Sequence, residues 1–131
     1  MKRATAKARA WKATSLLVRR KAADDNGYAS CVTCGITKHY KELHAGHFIP
    51  KKRGNAIYFK IENIHPQCPR CNNFESGNLI EYHRYMLDMY GQEGIDDLYE
   101  LSKTTVKFSI PDLLDIEADY RQKLNNLGLS E

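Results

Sequence analysis

Four cysteines fall into two matched pairs, Cys31-Val32-Thr33-Cys34 and Cys68-Pro69-Arg70-Cys71. A CxxC turn directs two thiolates at one point, and two such turns complete a tetrahedral all-sulfur shell of the kind Zn²⁺ takes. Gly35 gives the first turn the backbone freedom it needs. A pair of disulfides or a CxxC redox motif are the alternatives, and this spacing in a chain expected to stay in a reducing cytoplasm favours zinc over both. One structural zinc per chain is the expectation. Four thiolates saturate the ion and leave no open position, so any chemistry has to come from other residues.

Those residues lie between and just beyond the two knuckles. Leu43-His44-Ala45-Gly46-His47-Phe48 carries two histidines, and Glu62-Asn63-Ile64-His65-Pro66-Gln67 carries Asn63 and His65 before running into Cys71-Asn72. A neutral imidazole can take a proton from water, and a cation held beside it can bind a phosphate and its leaving oxygen. A lone HxxH is weak evidence. Framed by two metal knuckles and followed by Asn63 and Asn72, it is strong.

A histidine on a first strand, an asparagine late in a second and a metal-ligating residue just after a CxxC resemble the HNH (His-Me finger, ββα-metal) nucleases. More narrowly, the run from about Trp11 to Gly128 resembles the phage lambda NinG (Rap) family of recombination endonucleases. The carriers are CVTCG (31–35), AGH (45–47), NIHPQC (63–68), CN (71–72), SGNL (76–79), GQE (91–93) and ADYRQKL (118–124). The resemblance implies a phage- or prophage-encoded enzyme that nicks branched recombination intermediates with Mg²⁺ or Mn²⁺, leaving 5′-phosphate and 3′-hydroxyl ends. His47 is then the general base. Asn72 sits where HNH enzymes with a four-cysteine zinc, such as the phage resolvase endonuclease VII, place the second ligand of the catalytic metal. Asn63 is the middle asparagine, expected to hold the loop and the orientation of His47 by hydrogen bonds. His65, two residues on and so on the same strand face, is expected to support the phosphate or the metal.

The chain departs from the pattern at the first metal ligand. Most HNH sites carry an acid or a histidine directly before the base, where this chain has Gly46. His44 is the available substitute, at a position where the lambda family looks to have an acid. A regular strand puts residues 44 and 47 on opposite faces, so a bulge at Ala45-Gly46 is expected to turn both toward one ion. His39 and His83 have no comparable context and read as surface or packing residues. The resemblance is not expected to extend to the long cysteine-containing N-terminal extension of the lambda family's type member.

The elements that must position these groups are short. Residues 4–23 are Ala-rich with Ala6, Ala10, Ala13 and Leu17 near one helical face, and Asp24-Asp25-Asn26-Gly27 ends that helix. Residues 42–48 and 57–64 read as two strands joined by a basic loop over 50–55. After the second knuckle a short helix is broken at Ser76-Gly77. Asn78 with Glu81 three residues on reads as an N-cap, and Leu79, Tyr82, Met86 and Met89 make a stripe that stops at Gly91. Ser109-Ile110-Pro111-Asp112 starts a last helix that carries Leu113, Ile116, Tyr120, Leu124 and Leu127 and stops at Gly128. Both stripes read as packed core. The fold class is α+β: a basic N-terminal helix over 1–27, a small zinc-stapled ββα-metal core over 28–91, and a helical C-terminal region over 92–131 packed on the core.

Charge points to a polyanionic partner. The chain has a formal net charge of +4, yet residues 1–22 hold eight Lys or Arg and no acid, while the C-terminal third is rich in Asp and Glu. DNA, branched if the resemblance holds, is expected to meet Arg9, Lys12, Arg19 and Arg20 on the first helix and Lys51, Lys52 and Arg53 on the hairpin loop. Trp11 reads as anchoring its helix, with stacking on an unpaired base as the weaker alternative. No run of eighteen apolar residues and no signal peptide is read, so the expected location is the cytoplasm of a bacterial host, with no membrane partner. Junction-cutting enzymes usually dimerise, and a homodimer is compatible with this reading. Two competing readings are an HNH nuclease cutting linear DNA, with or without sequence specificity, and a zinc module that binds nucleic acid without cutting it. Retention of His47, Asn63 and Asn72 together argues against the second.

Overall fold

Small side chains at Ala6, Ala10 and Ala13 let the first helix, α1 (Arg3–Ala22), approach its neighbours closely; these residues and Leu16, Leu17 and Val18 are buried. The computed structural model describes residues 1–50 and 55–129. Asp24 turns the chain out of α1 by accepting hydrogen bonds from the backbone of Asn26 and Tyr28, with Gly27 left-handed at φ 88°. A hairpin follows, β1 (Tyr28–Ser30) against β2 (Thr37–His39), and the first knuckle is its turn.

The second hairpin carries most of the residues of interest. In it β3 (His44–His47) runs antiparallel to β4 (Ile64–Gln67), with His44 opposite Gln67, Gly46 opposite His65 and His47 opposite Ile64. Two expectations are corrected here. The second strand lies at 64–67 instead of 57–64, because residues 55–57 and 61–63 form 3₁₀ turns. Asn63 imposes this: its amide bonds both the N–H (2.9 Å) and the carbonyl (3.0 Å) of Ile49, while its own carbonyl accepts from the Phe48 N–H (2.8 Å). The chain is thus clipped across the hairpin mouth before the ladder begins. The expected bulge at Ala45-Gly46 is also absent. All four residues of β3 pair one to one, so His44 and His47 stay on opposite faces.

A π-helical turn (Arg70–Phe74) carries the second knuckle into α2 (Leu79–Ser102), whose helical backbone is interrupted at Gly91 (φ 71°, ψ 174°) and then resumes. Asn78 precedes α2 in a left-handed conformation, and its side chain caps nothing. It donates to Cys71 Sγ (3.6 Å) instead. The last helix, α3 (Ile110–Asn126), begins with a capping box: Ser109 Oγ accepts from the Asp112 N–H (3.1 Å) and Asp112 Oδ2 from the Ser109 N–H (2.9 Å).

Core residues Phe48, Ile49, Ile57, Tyr82, Met86, Ile95 and Leu98 join the second hairpin to α2, while Ala6, Ala10, Phe59 and Leu113 join α1 to α3. The basic and acidic ends of the sequence meet in space. Arg9 pairs with Glu117 across α1 and α3 at 2.9 Å, and Arg121 reaches the same carboxylate at 3.5 Å. The charge asymmetry along the chain is partly cancelled by the fold. No helix among the described residues is long and apolar enough to cross a membrane.

Candidate functional site

Two turns bring the cysteines together. Cys31, Cys34, Cys68 and Cys71 place their sulfurs within 4.8 Å of one another, with 3.7 Å between Cys34 and Cys68. Gly35, left-handed at φ 83°, closes the first turn by donating to the Cys31 carbonyl (2.9 Å). In the second turn the Cys71 N–H points at Cys68 Sγ (3.5 Å). The four thiols can hold one metal ion, and an all-sulfur set of this kind suits Zn²⁺. An ion there would tie the first hairpin to the end of β4.

His47 lies on the face of β3 that meets α1. Its Nε2 is 2.9 Å from the Tyr58 carbonyl, which can only accept, so Nε2 carries a proton. The imidazole is stacked on Trp11 of α1, with ring centroids 5.0 Å apart and planes at 18°, and Tyr58 leans on it at 5.2 Å. Trp11 therefore does anchor α1, and it does so on the imidazole. An open cleft of about 390 Å³ runs past this side, lined by Trp11, Ala45, His47, Tyr58, Asn72 and Leu79 among others.

Asn72 reaches the same cleft from the π-helical turn, directly after Cys71. Its Nδ2 donates to His44 Nδ1 at 3.0 Å. His44, on the other face of β3 from His47, thus meets the site through Asn72. The structure brings His44, His47 and Asn72 around one strand without any bulge.

Asn63 is fully buried and clips the hairpin as described, which leaves the Tyr58 carbonyl and Trp11 to orient His47. His65 is packed into a tyrosine cluster on α2. Tyr82 donates to the Gly46 carbonyl (2.7 Å), so His65 Nδ1–H must donate to Tyr82 (3.0 Å), and His65 Nε2 accepts from Tyr90 (2.7 Å). Burial, with the nearby charge of Lys21, pushes the imidazole down to about 4, so it is neutral at pH 7. Burial also pushes Tyr90 up to about 12 and keeps it a donor. Both ring nitrogens of His65 are occupied by these partners.

Lys51, Lys52 and Arg53 lie outside the described residues. Of the α1 cations, Lys12 is exposed and Arg9 is paired with Glu117. Arg19 bonds the Ser15 carbonyl (3.2 Å) and the Tyr40 carbonyl (3.0 Å), and Arg20 lies over the Tyr40 ring at 4.7 Å. These two brace α1 against the turn before β3. Sequence reasoning missed Tyr58, whose contribution is a backbone oxygen, and the Tyr82–His65–Tyr90 chain, whose signal was the tyrosine spacing in α2.

A family model, described as Bacteriophage Lambda NinG protein, matches residues 2–129. Relatives named Protein ninG are 34% identical in Escherichia phage lambda, 33% in Escherichia phage 933W and 31% in Salmonella phage P22. Each match covers 97 residues, 74% of this chain and 47% of the relative, so the chain spans about half the length of the curated relatives it matches. No solved structure matches it. With nearly all of its residues covered by that model, the chain belongs to the NinG family of lambda-like phages.

Proposed function

We propose that this chain is a metal-dependent DNA endonuclease of the HNH type that nicks branched DNA. The observation that carries the reading is the setting of His47. The imidazole is stacked on Trp11, sets Nε2 against the Tyr58 carbonyl and lines a cleft shared with Asn72. Those are the requirements for a general base acting on water.

His47 Nδ1 takes a proton from the attacking water. The water oxygen forms a bond to phosphorus as the bond to the 3′ oxygen breaks, and that oxygen leaves with a proton from solvent. His44 and Asn72 are the residues that would hold a divalent cation. Their side chains are in direct contact at 3.0 Å, so an imidazole nitrogen of His44 and the amide oxygen of Asn72 would hold it together. Mg²⁺ or Mn²⁺ held there would supply positive charge beside the phosphate and the leaving oxygen. The knuckle, with all four ligands supplied by cysteine, has a structural part in this scheme.

Selectivity for branched DNA rests on what could read the substrate. The described residues include α1, with exposed Lys12, and an open cleft. Such a surface follows phosphates, and unpaired strands at a branch point bend into a cleft at lower cost than intact duplex. The test is cleavage of labelled four-way, flapped and linear DNA with Mg²⁺ or Mn²⁺. The expected result is nicking near the branch, lost by about 10²–10⁴-fold in His47→Ala while DNA affinity stays within a few-fold. Equal rates on linear and branched DNA would leave an HNH nuclease without structural preference, and undiminished cutting by His47→Ala would remove the assigned base.

A further inference from the structure

The most unusual atom near the cleft belongs to a residue given no role so far. Gln67 ends β4 opposite His44 and is fully buried, at 0% exposed. Two acceptors orient its amide: Nε2 donates to the Gly77 carbonyl at 2.8 Å and to Thr33 Oγ1 at 3.2 Å. The oxygen must therefore occupy the other end, and there Oε1 has no hydrogen-bond donor. Buried amide oxygens nearly always have a partner, so an orphan beside a candidate cation site asks what else it binds.

Oε1 is aimed at Gly46. A Cβ added to residue 46 would stand 2.0 Å from Gln67 Oε1 and 3.1 Å from Asn72 Oδ1. No side chain fits that space while Gln67 keeps its place. The acid or histidine that HNH nucleases set directly before their base is thus excluded here by packing, and two amide oxygens converge where it would start. Both belong to neighbours of the knuckle, since Gln67 precedes Cys68 and Asn72 follows Cys71. A filled knuckle holds them as a pair.

We propose that Gln67 Oε1 is a third protein donor to the divalent cation, with Asn72 and His44, in place of the side chain that position 46 cannot carry. The inference rests on the cation site of the preceding section. Amide oxygens are hard donors, of the kind Mg²⁺ and Mn²⁺ accept. A neutral glutamine in place of a carboxylate would also lower the affinity of the site for the ion.

Mn²⁺ titration of the zinc-loaded full chain, read as loss of the free-ion electron paramagnetic resonance signal, tests this without any cleavage assay. The wild type is expected to bind one Mn²⁺ and Asn72→Ala to lose it. Gln67→Met, similar in length but without the oxygen, should bind about ten-fold or more weakly. Gly46→Ala, whose methyl displaces Oε1, should weaken binding as well, and Gln67→Glu should tighten it by adding charge. Binding by Gln67→Met within two-fold of wild type overturns the proposal. Should that variant fail to hold zinc, the wild type decides: the Gln67 side-chain carbonyl ¹³C resonance must shift as Mg²⁺ saturates, and a static resonance overturns it too. Binding that needs Asn72 and ignores Gln67 sinks only this inference; no Mn²⁺ binding by the wild type sinks the cation site with it.

Discussion

The two candidate sites of this chain are built in opposite ways. The knuckle draws four identical ligands from two local turns, closes on itself and can hold its ion without help from the helices. The cleft a few residues away draws Trp11 from α1, His47 from β3, a carbonyl from residue 58 and an amide from the turn after Cys71. Its parts come from across the chain, and it stays open to solvent. A closed local site contributes stability, whereas an open composite site depends on the fold around it.

The largest test of that contrast strikes the closed site. Cys68→Ser should lose the metal and much of the folded structure, because metal binding worth about 10–16 kcal/mol in small zinc domains is also folding free energy. Elemental analysis and circular dichroism read both effects, and a metal-free variant with native spectra would break the comparison. The converse holds for the open site. Trp11→Ala should leave zinc content unchanged yet slow cleavage by about 10–10²-fold, since the imidazole loses the surface that fixes its plane. Trp11→Phe should recover part of the rate. If the alanine variant cuts at full speed, α1 is no part of the site.

A smaller effect belongs to the tyrosine cluster behind β3. His65 has a folded-state value lowered to about 4 from 6.5, so between those values the unfolded chain binds the proton more readily. Its contribution is complete above pH 6.5 and is lost as pH falls toward 4, at up to about 1.4 kcal/mol per pH unit. Denaturant midpoints of zinc-loaded His65→Gln should accordingly depend less on pH in that window than those of wild type. Parallel curves would mean that His65 charges freely in the folded protein. The smallest expected change is in Lys12→Ala, which should lower the log–log salt slope of DNA binding by about one unit if that ammonium neutralises a phosphate.

What could be read from the residues alone follows the same division. The cysteine pairs, α1 and the Ser109–Asp112 cap depend on spacing within a few residues, and all three stand where the sequence placed them. His47 and Asn72 line one cleft, a proximity that their positions relative to the knuckles suggest. The second strand was not. Residues 57–64 have strand-like composition, but the buried amide of Asn63 clips them to Ile49, a contact no local pattern encodes. A bulge at Ala45-Gly46 is one way to bring His44 to the site; the regular strand uses the Asn72 amide as the link instead. Gln67 went unread because its interest lies in a missing partner.

The pairing of Arg9 with Glu117, 108 residues apart, sets an order of events during synthesis. At about 5–20 residues per second, α1 leaves the ribosome roughly 5–20 s before α3 can cover it. Until then the alanine-lined face of α1 has no lid, and Trp11 lacks one of the two surfaces that hold its helix in place. A nascent chain therefore carries its knuckle before the alanine-lined face of α1 is covered.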